Sequence, residues 1–522
     1  MISQSIYLFP DTNSAEISEV GGKGYSLILG SQAGLPVPPG FILSVSFFTP
    51  WWEELQKTKT WSEFLKAKPE ELENICKLLK QQATQLNFTK DQEQAISNVL
   101  ANYDQKSVFA VRSSSPEEDL EGSSFAGGYE TVLGVPKSEL NKAIKKAFAS
   151  CLDYRVAVYK LANRFDTKNP KIAVIIQEQI ASEIAGVGFS FNPVTNNYDE
   201  AVFNANWGLG ETVVAGTTTT TTTTTTTPDT YTVNKIDLKI VKKQLGKKEQ
   251  AIYLTSGGGT KQKEDIVHDT FTLSDKQVGE LTTLIKQVEE LYQKPIDIEW
   301  AYEKEKLFLL QARPITTYIP LPKSMLTDPS EKKRLYLDAT ISIQGLYQPL
   351  SVTGTSFFAV AMGVITKTVF MRDLTKNINE ALPWIAPGRL YLNLSNLLNL
   401  VGKKKFANFA TIMDPLAAKT IETINENEYS SSQNKMLLLP FGIVLKLPYI
   451  LNKIRRARTN PDQTHQITQQ QMQKFREKAQ QLVHEDIPLT LLTKKLMQTL
   501  INDVFLHTVP LFIIGKRAMG GE

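Results

Sequence analysis

The stretch IDIEWAYEKEKLFLLQARP, residues 296–314, reads as two short strands joined by a turn over 301–306. In a strand, alternate side chains share a face, so Asp297 and Glu299 point one way, and Gln311 and Arg313 do the same on the next strand. Four polar groups then converge on one side of a hairpin whose other positions are Ile, Leu and Phe. Carboxylate and amide oxygens are hard ligands suited to Mg²⁺, and a guanidinium beside them suits the phosphate that such an ion bridges. A hairpin with a cross-strand ion pair is the structural alternative. It accounts for the charge complementarity, but not for why polar residues share one face of otherwise apolar strands.

Outward from this hairpin, short β-like runs (FAVR, KIAVII, EAVFNA, YTVNK, IDIEW, LFLLQ) are interleaved with helical stretches such as Leu281 to Tyr292. That mixture predicts an α+β domain over residues 1–317. A proline-rich, charged stretch predicts a linker at 318–335. Beyond it, over 336–522, SFFAVAMGVITKTVF, LYLNLSNLLNLVG and QITQQQMQKFREKAQQL read as helices, so this part is expected to be mainly α-helical.

Composition narrows the function classes. The 522 residues are 42% hydrophobic, and 58 basic against 54 acidic residues leave a net charge of +4, which gives no reason to expect nucleic acid. Cys76 and Cys151 are far apart and outside any CxxC pattern, as expected in a reducing cytoplasm. The start MISQSIYLFPD lacks a basic region and a long apolar core, so no secretory signal is read there. Met436 to Leu451 is apolar but carries Lys446, Pro440 and Pro448; it reads as a buried helix, and no transmembrane span is expected.

Three further regions carry chemistry. Gly21, Gly22 and Gly24 bracket Lys23 before an apolar helical run, where glycines admit close approach and a helix start offers N–H groups to an anion; a glycine turn with a solvated lysine is the plain alternative. In FAVRSSSPEEDLEGSSFAGGYETVL, a strand ending in Arg112 opens into a loop where Ser123, Ser124, Gly127 and Gly128 could cover a nucleotide. A mobile acidic loop fits the same letters. VIIQEQIASEIAGVGFSFNPVTN runs from a strand through Gln177, Glu178 and Gln179 to a glycine-rich turn, a setting for an adenine edge or an ordinary edge strand. GLGE adds Glu211 as a further carboxylate.

In this order, GGKG, AVRSSSPEEDLEGSSFAG, GVGFSFNPVTN, NWGLGETVVAG and IDIEWAYEKEKLFLLQARPI resemble the ATP-grasp nucleotide-binding domain of phosphoenolpyruvate synthase and its relatives, over about residues 10–317. That family passes a phosphoryl group from ATP through a histidine on a swivelling domain to an acceptor. In the synthase, pyruvate, ATP and water become phosphoenolpyruvate, AMP and phosphate. The resemblance implies that Lys23 and Arg112 hold ATP phosphates, that Glu299 and Gln311 hold Mg²⁺, and that Arg313 steadies the transferring group with Asp297 in support; the residues themselves add Gln177 and Gln179 at the adenine edge and Glu211 as a second carboxylate near the metal. It also implies an ATP-grasp domain followed by a partial helical domain.

Departures accompany it. Gly128 stands where relatives often have glutamine, and the tract Thr217–Thr227 falls where they have a short connection. No carrier signature surrounds His268, His465, His484 or His507, and no pyruvate-binding barrel follows, so the acceptor is expected to be reached through a carrier domain on another chain. Residues 336–522 are loosely similar to the central domain of family members acting on other acceptors, rifampicin phosphotransferases included. Another small-molecule phosphotransferase, or an ATP-binding remnant without turnover, are the competing readings.

A uniform threonine tract has no alternation that would bury one face. Loop closure changes by only about 0.6 kcal/mol per doubling of length. Shortening Thr217–Thr227 to three residues should therefore leave the thermal unfolding midpoint nearly unchanged, and a large drop would mean that the tract is packed structure.

Overall fold

Strands with apolar side chains on both faces need cover on both sides, and the first half of the chain supplies it. The computed structural model describes residues 5–12, 14–117, 119–120, 123–124, 129–163, 165–215, 227–264, 269–315, 318, 321–328, 331–342, 349–386, 388–413, 415–429 and 440–501. The chain divides into two units, 1–319 and 320–522. Strands of the first are β1 (Ile6–Phe9), β2 (Gly40–Leu43), β3 (Val108–Ser114), β4 (Asp119–Leu120), β5 (Ser123–Ser124), β6 (Thr131–Pro136), β7 (Ala173–Glu178), β8 (Ile184–Phe189), β9 (Glu200–Trp207), β10 (Asp229–Asn234), β11 (Ile240–Gln244), β12 (Gln250–Leu254), β13 (Thr260–Glu264), β14 (Ile296–Glu303) and β15 (Lys306–Pro314). Its helices are α1 (Ile17–Gln32), α2 (Thr49–Gln56), α3 (Lys59–Phe64), α4 (Pro69–Gln85), α5 (Lys90–Leu100), α6 (Leu140–Ala149), α7 (Tyr154–Ala162), α8 (Glu211–Ala215) and α9 (Asp275–Tyr292).

Two antiparallel sheets organise this unit, one in the order β1-β2-β7-β3-β6 and one in the order β11-β10-β9-β8-β14-β15. In the first sheet, Phe41, Leu43, Phe109, Val111, Val174 and Ile176 enter a core with Trp51, Trp61 and Phe148. Their neighbours Ile42, Ala173 and Ile175 pack on the other face against Val20, Leu27 and Ile28 of α1. Strand parity carries Arg112 and Gln177 to that second face. In the other sheet, Ile296, Ile298 and Trp300 pack on Leu281, Ile285 and Val288 of α9. Asp297 and Glu299 are thereby turned to the opposite face.

The β14–β15 register pairs Asp297 with Arg313 and Glu299 with Gln311, then shifts so that Trp300 faces Leu309. Leu310 is the extra residue of a bulge, which lets Leu309 join the α9 core while Gln311 faces away from it. The hairpin turn is tighter than the predicted 301–306: both Lys304 (φ 48°) and Glu305 (φ 63°) are left-handed, the two-residue turn whose twist matches its strands. A second correction concerns Gly186 and Gly188, expected in a turn but located in strand β8. A Cβ on Gly186 would lie 1.9 Å from Asn204 O, so glycine is needed there for backbone approach and not for turning.

Helix α1 is kinked at Gly21, whose φ of 71° and ψ of 170° suit glycine almost alone. A Cβ there would lie 2.3 Å from Ser114 Oγ and 2.5 Å from the Ser114 carbonyl. Further along, Lys80 Nζ reaches both Glu130 Oε1 and Asp153 Oδ2 at 3.1 Å, and Lys146 reaches Glu130 Oε2 at 2.9 Å. Thr217–Thr226 lie outside the described residues, but Thr227 is held: its carbonyl accepts from Lys248 N at 3.1 Å and its Oγ1 from Lys247 N at 2.9 Å. Beside it, Asp229 and Lys248 form a fully buried pair at 2.6 Å. Asp229 also accepts from the Gly246 and Thr272 amides, each at 2.7 Å.

The second unit is mainly helical around one small sheet, β16 (Tyr336–Asp338), β17 (Pro383–Ala386) and β18 (Arg389–Asn393), ordered β16-β18-β17. Its helices are α10 (Ala339–Ser342), α11 (Val352–Phe370), α12 (Leu394–Val401), α13 (Lys403–Met413), α14 (Pro415–Thr423), α15 (Phe441–Thr459), α16 (Pro461–Val483) and α17 (Leu489–Thr499). LYLNLSNLLNLVG, predicted as one helix, is a strand up to Asn393 and a helix after it, because the Asn393 side chain accepts from the Asn396 amide and caps α12. The buried helix predicted at 436–451 is corrected over its described part, 440–451, while 436–439 lie outside the described residues. In α15 only Gly442 and Ala457 are buried among the described side chains, and Leu445 is 71% exposed, since Lys446 and the cations from Lys453 onward interrupt any apolar face. Among the described residues, α11, 19 residues with a mean hydropathy of 1.3, is the helix long and apolar enough to cross a membrane, a test that core helices also pass.

Gly21→Ala should destabilise the first unit by about 3 kcal/mol through strain and overpacking. Gly279→Ala in α9, where nothing lies within 4 Å of the added Cβ, should stabilise by up to about 1 kcal/mol; denaturant unfolding of both variants checks the opposite signs. Burial alone would raise the Glu130 and Asp153 carboxyls, but the lysine and amide hydrogen bonds outweigh it and hold both below the ordinary carboxylate range. Carboxylates lowered on folding contribute stability above their unfolded pKa of about 4 and lose it as pH falls through the lowered folded value. Lys80→Met should therefore cost about 1 kcal/mol at neutral pH and flatten the acid limb of a stability–pH profile.

Candidate functional site

The faces of the two sheets that carry polar residues meet at a cleft of about 260 Å³. Lys23, Arg112, Gln177, Gln179, Glu211, Glu299, Gln311 and Arg313 all line it, whereas Asp297 does not. Sequence-distant segments are thus brought together by strand parity in β3, β7, β14 and β15, by the kink of α1, and by the start of α8.

Arg112 is the centre of the arrangement and is only 9% exposed. Its Nη1 donates to Leu310 O at 3.0 Å. Its Nη2 donates to Glu299 Oε2 at 3.2 Å and, more closely, to Gln311 Oε1. The bulge is what turns the Leu310 carbonyl toward the guanidinium, and Leu310 is the residue that the strand reading missed. Its signal was present: Leu309 and Gln311 fall on one parity, an apolar–polar conflict that one extra residue resolves. Arg313 Nε donates to both Asp297 carboxylate oxygens at 2.9 Å. The cross-strand ion pair and the convergent polar face, posed as alternatives, therefore coexist in one hairpin.

Lys23 reaches the cleft from just past the Gly21 kink, but the adjacent amides are not open to an anion as predicted. Gly22 N donates to Ser115 O at 3.2 Å and Gly24 N to Ser114 Oγ at 3.0 Å. Ser113 and Ser114 are likewise structural: their hydroxyls donate to Glu130 O at 2.9 Å and Val20 O at 2.8 Å. Gly127 and Gly128 lie outside the described residues, and Ser123 and Ser124 are placed only as a short strand paired with Asp119–Leu120. Nothing in the residue pattern singles out Lys160, buried on α7, whose Nζ stands 2.5 Å from Glu117 Oε2 at the root of this loop.

Gln177 Nε2 donates to Pro38 O at 3.1 Å and Gln179 Nε2 to Ile180 O at 3.2 Å. The Oε1 of Gln179 is buried with no hydrogen-bond partner among the described residues. Glu211 is exposed at the start of α8, and partial desolvation against the cleft wall pushes its carboxyl above the ordinary value. His465 in α16 contacts Gln469 at 3.0 Å and His484 follows that helix as its C-cap, while His268 and His507 lie outside the described residues.

The donor set fits a magnesium ion. Glu299 Oε2 and Gln311 Oε1 converge on a single nitrogen, so the two oxygens are aimed at one point where a cation is held. Among the described residues no three His, Cys, Asp or Glu side chains cluster to hold an ion by themselves. An ion placed here would share its sphere with phosphate and water, as Mg²⁺ in nucleotide sites does.

The family model for the pyruvate phosphate dikinase AMP/ATP-binding domain matches residues 17–333. The chain is 36% identical over 320 residues to a probable phosphoenolpyruvate synthase of Methanocaldococcus jannaschii, covering 59% of this chain and 26% of the relative. It is 31% identical over 369 residues to the phosphoenolpyruvate synthase of Pyrococcus furiosus, covering 61% and 44%. A rifampicin phosphotransferase of a Streptomyces species is 27% identical over 431 residues, covering 80% and 46%. The chain therefore spans between a quarter and a half of the length of these relatives. With a two-sheet α+β unit, a polar cleft between the sheets and a match over most of that unit, the chain belongs to the phosphoenolpyruvate synthase and pyruvate phosphate dikinase family and contains its ATP-grasp nucleotide-binding domain.

Proposed function

We propose that the first unit binds Mg-ATP and serves as the phosphoryl-donor site of a phosphotransferase resembling phosphoenolpyruvate synthase. The observation that carries this reading is the convergence of Glu299, Gln311 and Arg112 on one point of the cleft. Glu299 and Gln311 hold the ion, which when bound neutralises charge on the phosphates during transfer. Lys23 and Arg112 bind phosphate oxygens, Lys23 as a point charge and Arg112 as a fork. Arg313 steadies the transferring group, and Asp297 fixes the orientation of its guanidinium from outside the cleft. Such positioning and charge stabilisation supply most of the catalysis in phosphoryl transfer.

The base lies between the apolar walls Leu133, Ile180 and Leu209, with Gln177 at the floor. Gln179 Oε1 accepts from the adenine amine, which satisfies a buried acceptor that otherwise has no partner. The acceptor of the phosphoryl group is pyruvate, reached through a histidine-bearing carrier domain. Cys76 and Cys151 are both free and buried, which fits a reducing, cytoplasmic setting.

One observation favours a second reading for the acceptor. The alignment with the rifampicin phosphotransferase covers 80% of the chain and so reaches into the helical unit, whereas the synthase alignments cover 59% and 61%. On that reading the second unit receives a small apolar acceptor such as rifampicin. Calorimetric titration of the chain with rifampicin distinguishes the two, binding favouring the antibiotic reading and its absence favouring pyruvate.

Calorimetric titration with ATP, with and without Mg²⁺, tests the donor site. Wild type should bind ATP in a metal-dependent way, and Glu299→Ala should lose at least about tenfold in affinity, about 1.4 kcal/mol, in the presence of Mg²⁺. Absence of binding by wild type would leave the family's motifs as a scaffold, a remnant without chemistry.

A further inference from the structure

The oxygens suited to the metal already have a cation. Arg112 Nη2 donates to Glu299 Oε2 at 3.2 Å and to Gln311 Oε1 more closely still. Mg²⁺ needs its oxygens at about 2.0–2.1 Å, on the same lone pairs that now face the guanidinium. Two positive groups cannot occupy one point between two oxygens, so this position of Arg112 and a metal at the point where Glu299 Oε2 and Gln311 Oε1 converge exclude one another. Nor can the side chain drift into solvent: it is 9% exposed, and Leu310 O holds its other terminal nitrogen at 3.0 Å. Its path away from the two oxygens runs toward the cleft that it lines together with Lys23.

We propose that Arg112 is the resident cation of the nucleotide-free site, holding Glu299 and Gln311 in position, and that divalent metal enters only when the phosphates of the nucleotide draw the guanidinium off them. The inference rests on the Mg-ATP reading above and adds an order to it. Metal without nucleotide meets a site that is already neutralised. A nucleotide triphosphate offers the guanidinium a new anion, frees both oxygens, and brings phosphate ligands to complete the coordination of the ion. Arg112 thereby acts as a positioning residue before it acts as a phosphate ligand, and nucleotide and metal bind with positive coupling.

The test uses Mn²⁺ as a paramagnetic probe of an oxygen-ligand site, with free ion counted by electron paramagnetic resonance on the full chain. After subtraction of the ion that a non-hydrolysable ATP analogue chelates without protein, wild type should bind Mn²⁺ weakly alone and at least about tenfold more tightly with the analogue, a coupling of about 1.4 kcal/mol. Arg112→Met should raise the nucleotide-free affinity for Mn²⁺ by about tenfold. If circular dichroism shows that this variant does not fold, Arg112→Lys decides in its place, because a single ammonium cannot bond both oxygens and Leu310 O in the same geometry; a smaller gain, about threefold, is then expected. Wild type that binds Mn²⁺ equally with and without the analogue, or a folded variant with no gain, would overturn the inference while leaving the donor site standing. Wild type that binds neither the analogue nor Mn²⁺ in its presence would overturn the Mg-ATP reading itself.

Discussion

The clasp between Arg112 and the β14–β15 hairpin is the interaction on which the site depends. One buried guanidinium on the first sheet is satisfied by a carboxylate, an amide and a backbone carbonyl on the second. A buried charge is tolerated only when its hydrogen bonds are made, so the two sheets are held in a relation that completes this set. Other contacts reinforce it: Ser26 of α1 donates to Ala312 O at 2.5 Å, and the Leu309 amide donates to Pro36 O at 2.9 Å. These bonds fix α1 and the segment that follows it against β15, which sets Lys23 on the same cleft as the hairpin.

Much of this was legible from the residues. β-like runs located β3, β7, β14 and β15, and period-2 alternation set Asp297 and Glu299, and Gln311 and Arg313, on the faces they occupy; Arg112, read as the end of its strand, lies inside β3, which runs on to Ser114. The left-handed turn at Lys304–Glu305 was not legible, because neither residue is the Gly or Asn that usually announces such backbone, and the bulge at Leu310 left only the parity conflict between Leu309 and Gln311 as its trace. The glycines misled in the opposite direction. Gly186 and Gly188 read as a turn, yet they serve a central strand crowded by Asn204 and Phe203. Composition says that a glycine is needed and leaves open whether the reason is dihedral or steric.

The second unit shows the same limit at larger scale. Hydropathy located helices such as α11 and α16, but burial is a property of neighbours. In α15 apolar side chains alternate with cations, and Val444 and Leu451 are more than half exposed. The buried part of this unit lies elsewhere, where Leu394, Leu398, Phe406 and Ile421 pack across α12, α13 and α14. The sequence of α12 looked like the continuation of a helix that starts earlier; the Asn393 cap and the strand before it set its true beginning.

The buried pair of Asp229 and Lys248 has a consequence for the repeat beside it. Runs of one amino acid are prone to gain or lose copies, and such a change can slide the next strand along its neighbours. A slip of a single residue would turn every side chain of β10 to the wrong face. Asp229 forbids the slip, because its carboxylate is fixed by the Lys248 ammonium and by two amides, Gly246 and Thr272, and breaking a pair of this kind costs about 3–5 kcal/mol. Copy number in the tract is thus uncoupled from strand registration: the pair is a stop against which the repeat can lengthen or shorten while Tyr231 and Val233 keep their places in the core.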